Sequence, residues 1–207
     1  MRRALVVLTA LALVAACSDD QPKGSSASST TTSRTGDETT TTTAEPAPVR
    51  SDLALRGDGL GVVDFGASPD AAVDAVRAEL GDPAHDTGWE PSASTYGTCP
   101  GEQIRGVEWG GLVLLFTDGE TPEGSGEHLF TWRVDGAPPA VATATGLGWG
   151  ATATDADELY PDEVERVPAE DPFPAFLEIH AEGGTITAYL DEGDVITNLE
   201  AGTTCGE

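Results

Sequence analysis

The sequence predicts an α+β fold: a tandem repeat of two units, each a helix followed by a three-stranded antiparallel sheet, forming one continuous sheet with the helices on one face. Three observations carry this expectation. DGLGVVDFGASPDAAV at 58–73 and ATGLGWGATATDADEL at 144–159 share Gly-Leu-Gly, then Gly-Ala-Ser/Thr, then an Asp. Both stretches lead into the same order of elements, which is helix, hairpin, third strand. Leu177/Ile179 and Ile186/Ala188/Leu190 alternate with polar residues, the period-two pattern of a sheet with one wet face. A lone unit would expose a sheet edge and one face, so two are expected to pair, over about 55–138 and 139–207.

The first helix is expected in SPDAAVDAVRAELGDP. Ser68 is a natural N-cap, Pro69 suits the first helical position and Asp70 the first turn. Val73, Val76 and Leu80 recur at helical spacing, and Gly81 and Pro83 stop the helix. IRGVEW (104–109) and LVLLFT (112–117) flank Gly110-Gly111, a two-residue hairpin signal, and LFTWRV (129–134) supplies a third strand. In the second unit Thr152, with Asp155 three residues on, suggests an approximate capping box, and Pro161 ends that helix. AFLEIHA (175–181), TITAYLD (185–191) and VITNLEAG (195–202) complete its strands.

The chain opens MRRALVVLTALALVAAC. Two arginines and an apolar run from Ala4 to Ala16, too short to span a membrane, read as a signal peptide over 1–16. Val14-Ala15-Ala16-Cys17 resembles the lipobox of bacterial lipoproteins, which implies diacylation of Cys17 and cleavage before it; the alternative is an ordinary signal peptide that contains a cysteine. Two acyl chains suffice for stable anchoring. Residues 17–50 are rich in Ser, Thr and Pro with almost no large apolar side chain, so they are expected to be a disordered tether. The expected location is the extracytoplasmic face of the bacterial cell membrane.

Residues 51–207 form one domain's worth of chain. The first fifty residues hold five basic and five acidic side chains, so the whole formal charge of −26 falls on this domain, which has five arginines and no lysine. Such a surface repels phosphates and excludes nucleic acid as a partner. Cys99 and Cys205 are an even pair once Cys17 is acylated, and in an oxidising compartment a bridge between them is expected over two separate buried thiols.

The Gly-Leu-Gly lead, the Gly-Ala-Ser/Thr cap, the LGDP helix end and TCPGEQIRGVEWGGLVLLFTDG resemble a group of actinobacterial secreted lipoproteins. In layout, about Leu55 to Cys205 is similar to the tandem helix-plus-sheet modules of the β-lactamase inhibitor protein family and of the small lipoprotein of the outer-membrane assembly machinery. The resemblance implies a non-catalytic, protein-binding role. It departs in its cysteines, since the inhibitor carries a disulfide within each repeat.

No catalytic residue, cofactor or metal site emerges from the motifs. Gly97-Thr98-Cys99-Pro100-Gly101 mimics a nucleophile elbow, but Pro100 lacks the N–H that the oxyanion hole requires. Gly57, Gly59 and Gly61 do not follow phosphate-loop spacing, and His85, His128 and His180 do not fall in metal-ligand spacing. The acids of 155–165 begin a calcium-loop series that Leu159 and Tyr160 interrupt. Most of the aromatic residues are expected to be core, filling the space between helices and sheet. The alternative is that Tyr189 and His180 point away from the helices, in which case Tyr189, His180, Trp132 and Phe130 are the expected binding face, because aromatic residues on an open surface are typical anchors. The leading expectation is thus a lipid-anchored envelope protein binding a protein or envelope component. A cryptic extracytoplasmic hydrolase and a β-lactamase-inhibitor-like protein are the alternatives.

Overall fold

In the computed structural model, residues 53–136, 141–181 and 183–206 are described. Cys17, the signal peptide and the tether lie outside them. Strand accounts for 50% and helix for 13% of the described residues, which are thus mostly β and not a repeat of helix-plus-sheet units. In chain order the elements begin with a small meander of β1 (Leu55–Arg56), β2 (Gly59–Leu60) and β3 (Val63–Asp64), followed by α1 (Pro69–Leu80). Next come β4 (His85–Asp86), β5 (Glu90–Ser94), β6 (Gly97–Trp109), β7 (Leu112–Thr117), β8 (Glu120–Thr121), β9 (Gly124–Ser125) and β10 (His128–Asp135). The chain continues with α2 (Ala153–Leu159), β11 (Val164–Val167), β12 (Phe176–Ala181), β13 (Gly184–Leu190) and β14 (Ile196–Gly202).

The sequence rhyme does not mark two equivalent units. Its first Gly-Leu-Gly lies in the β1–β3 meander, where Leu60 pairs with Leu55 and Val63. Its second is a loop closed by the Thr143 N–H on the Leu147 carbonyl. What the copies share is one fully buried leucine each, Leu60 and Leu147. The helices are also unequal, at twelve and seven residues. Segments to which the sequence pattern assigns no element also pair as short strands, β4, β5, β8, β9 and β11 among them.

One nine-stranded sheet dominates. Its order is β11-β12-β13-β14-β10-β7-β6-β4, with β5 also on β6, and every pairing within it is antiparallel. Gly110-Gly111 makes the two-residue turn between Trp109 and Leu112, with Gly110 at φ 61°. Ser68 stands at the N-cap of α1 but its hydroxyl makes no cap bond, and Pro69 starts the helix. At α2 a capping box is complete: Asp155 N–H donates to Thr152 Oγ1 (3.1 Å) and Thr152 N–H to Asp155 Oδ2 (2.7 Å). The Thr152 hydroxyl also donates to Asp155 Oδ2 (2.7 Å), and the backbone N–H first, with this hydroxyl, holds the Asp155 carboxyl below its ordinary range.

The main core lies on one side of the sheet. Ala72, Val73 and Val76 of α1 and Ala153 and Ala156 of α2 share a cluster there with Trp109, Leu114 and Trp132 of the sheet. Trp109 and Trp132 donate their indole N–H to the carbonyls of Gly81 and Arg56, each at 2.9 Å. A smaller cluster of Cys99, Ile104, Val113, Leu115 and Phe130 lies apart, with Tyr96 and Cys205 packed against it. It forms where the β5–β6 hairpin and the C-terminal tail close over the outer side of the sheet.

Candidate functional site

One row of directly opposed residues crosses the outer side of the sheet. On its left half Glu165 of β11 faces Glu178 of β12, then Thr187 of β13, then Glu200 of β14. On its right half Glu200 faces Arg133 of β10, then Val113 of β7, Glu108 of β6 and His85 of β4. Strand alternation puts these side chains opposite the helix-side core, and the four glutamates along one line must each find a partner or repel.

Two of them do find partners. Glu200 is 6% exposed; its Oε1 accepts from the Tyr189 hydroxyl at 2.8 Å and its Oε2 stands 3.3 Å from Arg133 Nε. That ion pair lacks hydrogen-bond alignment, so the buried Arg133 Nε–H remains unbonded, while Nη1 donates to the Tyr96 carbonyl at 3.3 Å. Burial first, and then the charge and hydrogen bond of Glu200, push the Tyr189 hydroxyl up to about 12. Glu108 accepts from the Tyr96 hydroxyl at 2.7 Å, and burial with that bond raises the Tyr96 hydroxyl above its ordinary value. The Tyr96 ring reaches Glu108 past Gly106, where any Cβ would collide with it.

A cleft of ≈ 520 Å³ opens over Arg133, Glu200 and Tyr189, walled by Phe173, Pro174 and the tail residues 204–206. The tail is fixed there by the Cys99–Cys205 disulfide and by two backbone bonds between Thr98 and Gly206, at 2.7 and 2.9 Å. It leaves β14 at Gly202, φ 92°, which backs onto the Phe130 carbonyl too closely for any Cβ. Phe173 is 58% exposed at the rim. Asn198, in the adjoining row beside Tyr189, donates to Asp135 but leaves a buried Oδ1 without a partner. Below the cleft the Arg133 Nε–H is thus buried without a hydrogen bond, as is Asn198 Oδ1 in the neighbouring row. No family model matches the chain, and no curated protein or solved structure is significantly similar to it.

Of the residues expected on the binding face, Tyr189 lines the cleft and His180 lies exposed on β12 toward the sheet edge. Trp132 and Phe130 are fully buried and leave that expected face. A bulge between Leu129 and Thr131 separates them: Trp132 enters the main core and Phe130 the smaller cluster, so they do not share a side despite their spacing of two. His128 is also buried, donating from Nδ1 to the Gly126 carbonyl (2.7 Å) and pairing Nε2 with the Thr121 hydroxyl (2.7 Å), which pins the β8–β9 turn. Arg133 and Glu200 went unnoticed in the sequence. Their signal was there: each is a charged residue between two core positions, Trp132/Val134 and Leu199/Ala201.

A second hollow of ≈ 440 Å³ lies beside β1 and the β12–β13 turn. Its one arginine, Arg56, is held by Asp58 and Asp64 at 2.6 and 2.5 Å, so it presents no free donor set. At the first edge, Arg105 grips Asp86 through two bonds of 2.9 and 2.6 Å, which hold the Asp86 carboxyl below its ordinary range.

Proposed function

We propose that this chain is a lipid-anchored protein of the bacterial cell envelope that binds a protein or envelope component on the outer side of its sheet. The observation that carries the binding reading is the cleft over Arg133, Glu200 and Tyr189, whose wall is a covalently fixed tail. A pre-formed concave site with convergent polar groups and an aromatic rim is what a binding surface needs, because little ordering entropy is then lost on association. Anchoring rests on Arg2-Arg3, the apolar run to Ala16 and the Val14-Ala15-Ala16-Cys17 tetrad. No helix among the described residues is long and apolar enough to cross a membrane.

A photo-crosslinking residue placed at Phe173, on the cleft rim, is expected to give a discrete adduct in intact cells; the same residue at exposed Val62 serves as the comparison. Equal labelling from both positions, or none from Phe173, refutes the site. In the same cells Cys17→Ala is expected to release the protein from the membrane fraction, and full retention refutes acylation.

A further inference from the structure

We propose that Glu165, Glu178 and His180 form a binding site for a divalent transition-metal ion, zinc being the ion that their donor set suits. Glu165 lies on β11, and Glu178 and His180 lie two apart on β12, so all three side chains emerge on the outer side of the sheet. One ligand atom from each lies within 4.8 Å of the other two. Donors bound to zinc at about 2.0–2.2 Å stand roughly 3–4 Å apart, so small side-chain rotations close the set. Glu165 and His180 are exposed and have room to make them.

The group is more than a patch of acid. Glu165 and Glu178 are register partners, and like charges directly opposed across two strands repel. Elsewhere in the same row Glu108 and Glu200 are each relieved by a tyrosine hydroxyl, and Glu200 also by Arg133. The carboxylates of Glu165 and Glu178 have no hydrogen bond or ion pair among the described residues. The one arginine nearby in sequence, Arg166, is turned to Asp194 at 3.1 Å. A cation is the missing counter-charge.

The imidazole decides which cation. His180 Nδ1 sits 3.2 Å from the Thr185 hydroxyl, its cross-strand partner, and this contact steadies the ring. Ligand histidines are commonly fixed in this way through their second nitrogen. One nitrogen and two carboxylate donors suit zinc and its neighbours, whereas calcium and magnesium ask for oxygen ligands. Three protein donors leave a coordination position open. The negative domain raises the local concentration of any cation.

Equilibrium dialysis of the full chain against zinc alone tests the proposal, with excess magnesium and calcium as competitors. One zinc per chain is expected to bind saturably and to survive the competitors. His180→Ala is expected to weaken binding by about a hundredfold, and Thr185→Val, which frees the ring, by about tenfold. Glu170→Gln, an exposed acid away from the group, is expected to change nothing. An unaltered urea midpoint in His180→Ala separates loss of a ligand from loss of the fold. Zinc uptake that His180→Ala leaves intact, that Glu170→Gln lowers equally, or that calcium displaces would overturn the site and leave only a diffuse acidic surface. No saturable uptake by the parent chain would overturn it as well.

Discussion

Tyr189→Phe removes one oxygen atom from the floor of the cleft and should be felt by the whole fold. The ring stays, so no packing is lost; what goes is the donor to a nearly buried carboxylate, 2.8 Å away. A hydrogen bond to a charged group contributes about 1.5–3 kcal/mol. Arg133 still faces Glu200, so the lower part of that range applies, about 1.5–2 kcal/mol. With a slope of about 2 kcal/mol per molar urea, the unfolding midpoint at pH 7 should fall by about 0.8–1 M, read by tryptophan fluorescence. In a Glu200→Gln background the same substitution removes only a neutral bond, and its cost should shrink by about 1 kcal/mol, the coupling between the two side chains.

The alkaline limb gives a second reading. Tyr189 titrates at about 12 in the folded chain, above its ordinary value of 10, so the folded state favours the protonated hydroxyl. The stability this provides is complete below pH 10 and is lost as pH rises from 10 to 12. The full gap corresponds to about 2.7 kcal/mol, which solvent screening of a half-buried ring reduces to about 1–2 kcal/mol. Tyr189→Phe should flatten the profile in that window, leaving the part due to Tyr96. A midpoint within about 0.2 M of the parent chain, against the expected loss, or an equal cost in both backgrounds, refutes the network.

Two further substitutions probe what holds the cleft in place. Gly106→Ala sets a methyl group against the Tyr96 ring and should cost about 1–3 kcal/mol, a penalty that Tyr96→Ala largely relieves in a double-variant urea cycle; strict additivity would show that the ring does not lie there. Cys205→Ala opens a loop with a sequence separation of 106 and should lower stability by about 2–5 kcal/mol. Reduction of the parent chain should shift its midpoint as far as this substitution does, and an unchanged midpoint on reduction would show that the bridge is absent.

Much of the fold was legible where local chemistry is enough. The start of α1 at Pro69, the capping box at Thr152 and Asp155 and the turn at Gly110-Gly111 depend on residues within a few positions of one another. Fold class was misread because partners distant in sequence decide it. His85-Asp86 is too short and polar to read as a strand and becomes one only because β6 offers Val107 and Glu108. EPSAS, polar and carrying a proline, becomes one because the first half of β6 needs a neighbour. At the site, the bulge after Leu129 reverses the side on which Phe130 lies, and nothing in LFTWRV announces it. The pairing of Glu165 with Glu178 crosses an intervening loop, so ligand spacing along the chain does not reveal it.

The arginines single out the part of the sheet's outer side on which the proposed binding surface lies. All five among the described residues face acids: Arg56, Arg77, Arg105 and Arg166 meet aspartates whose side chains are a third or more exposed. Such pairs contribute about 0–1 kcal/mol and are screened by salt. Arg133 and Glu200 differ, at 17% and 8% side-chain exposure. Shielding that pair costs desolvation that an apolar pair of the same volume would avoid, so folding alone does not call for it. Both neighbours of each residue point into the core, and with apolar side chains at these two positions the sheet would still close. The pair instead leaves an Nε–H unbonded beneath an open cleft, next to a tyrosine held protonated and a tail that a disulfide keeps in place. That is the polar complementarity which the proposed binding surface requires, prepared before a ligand arrives.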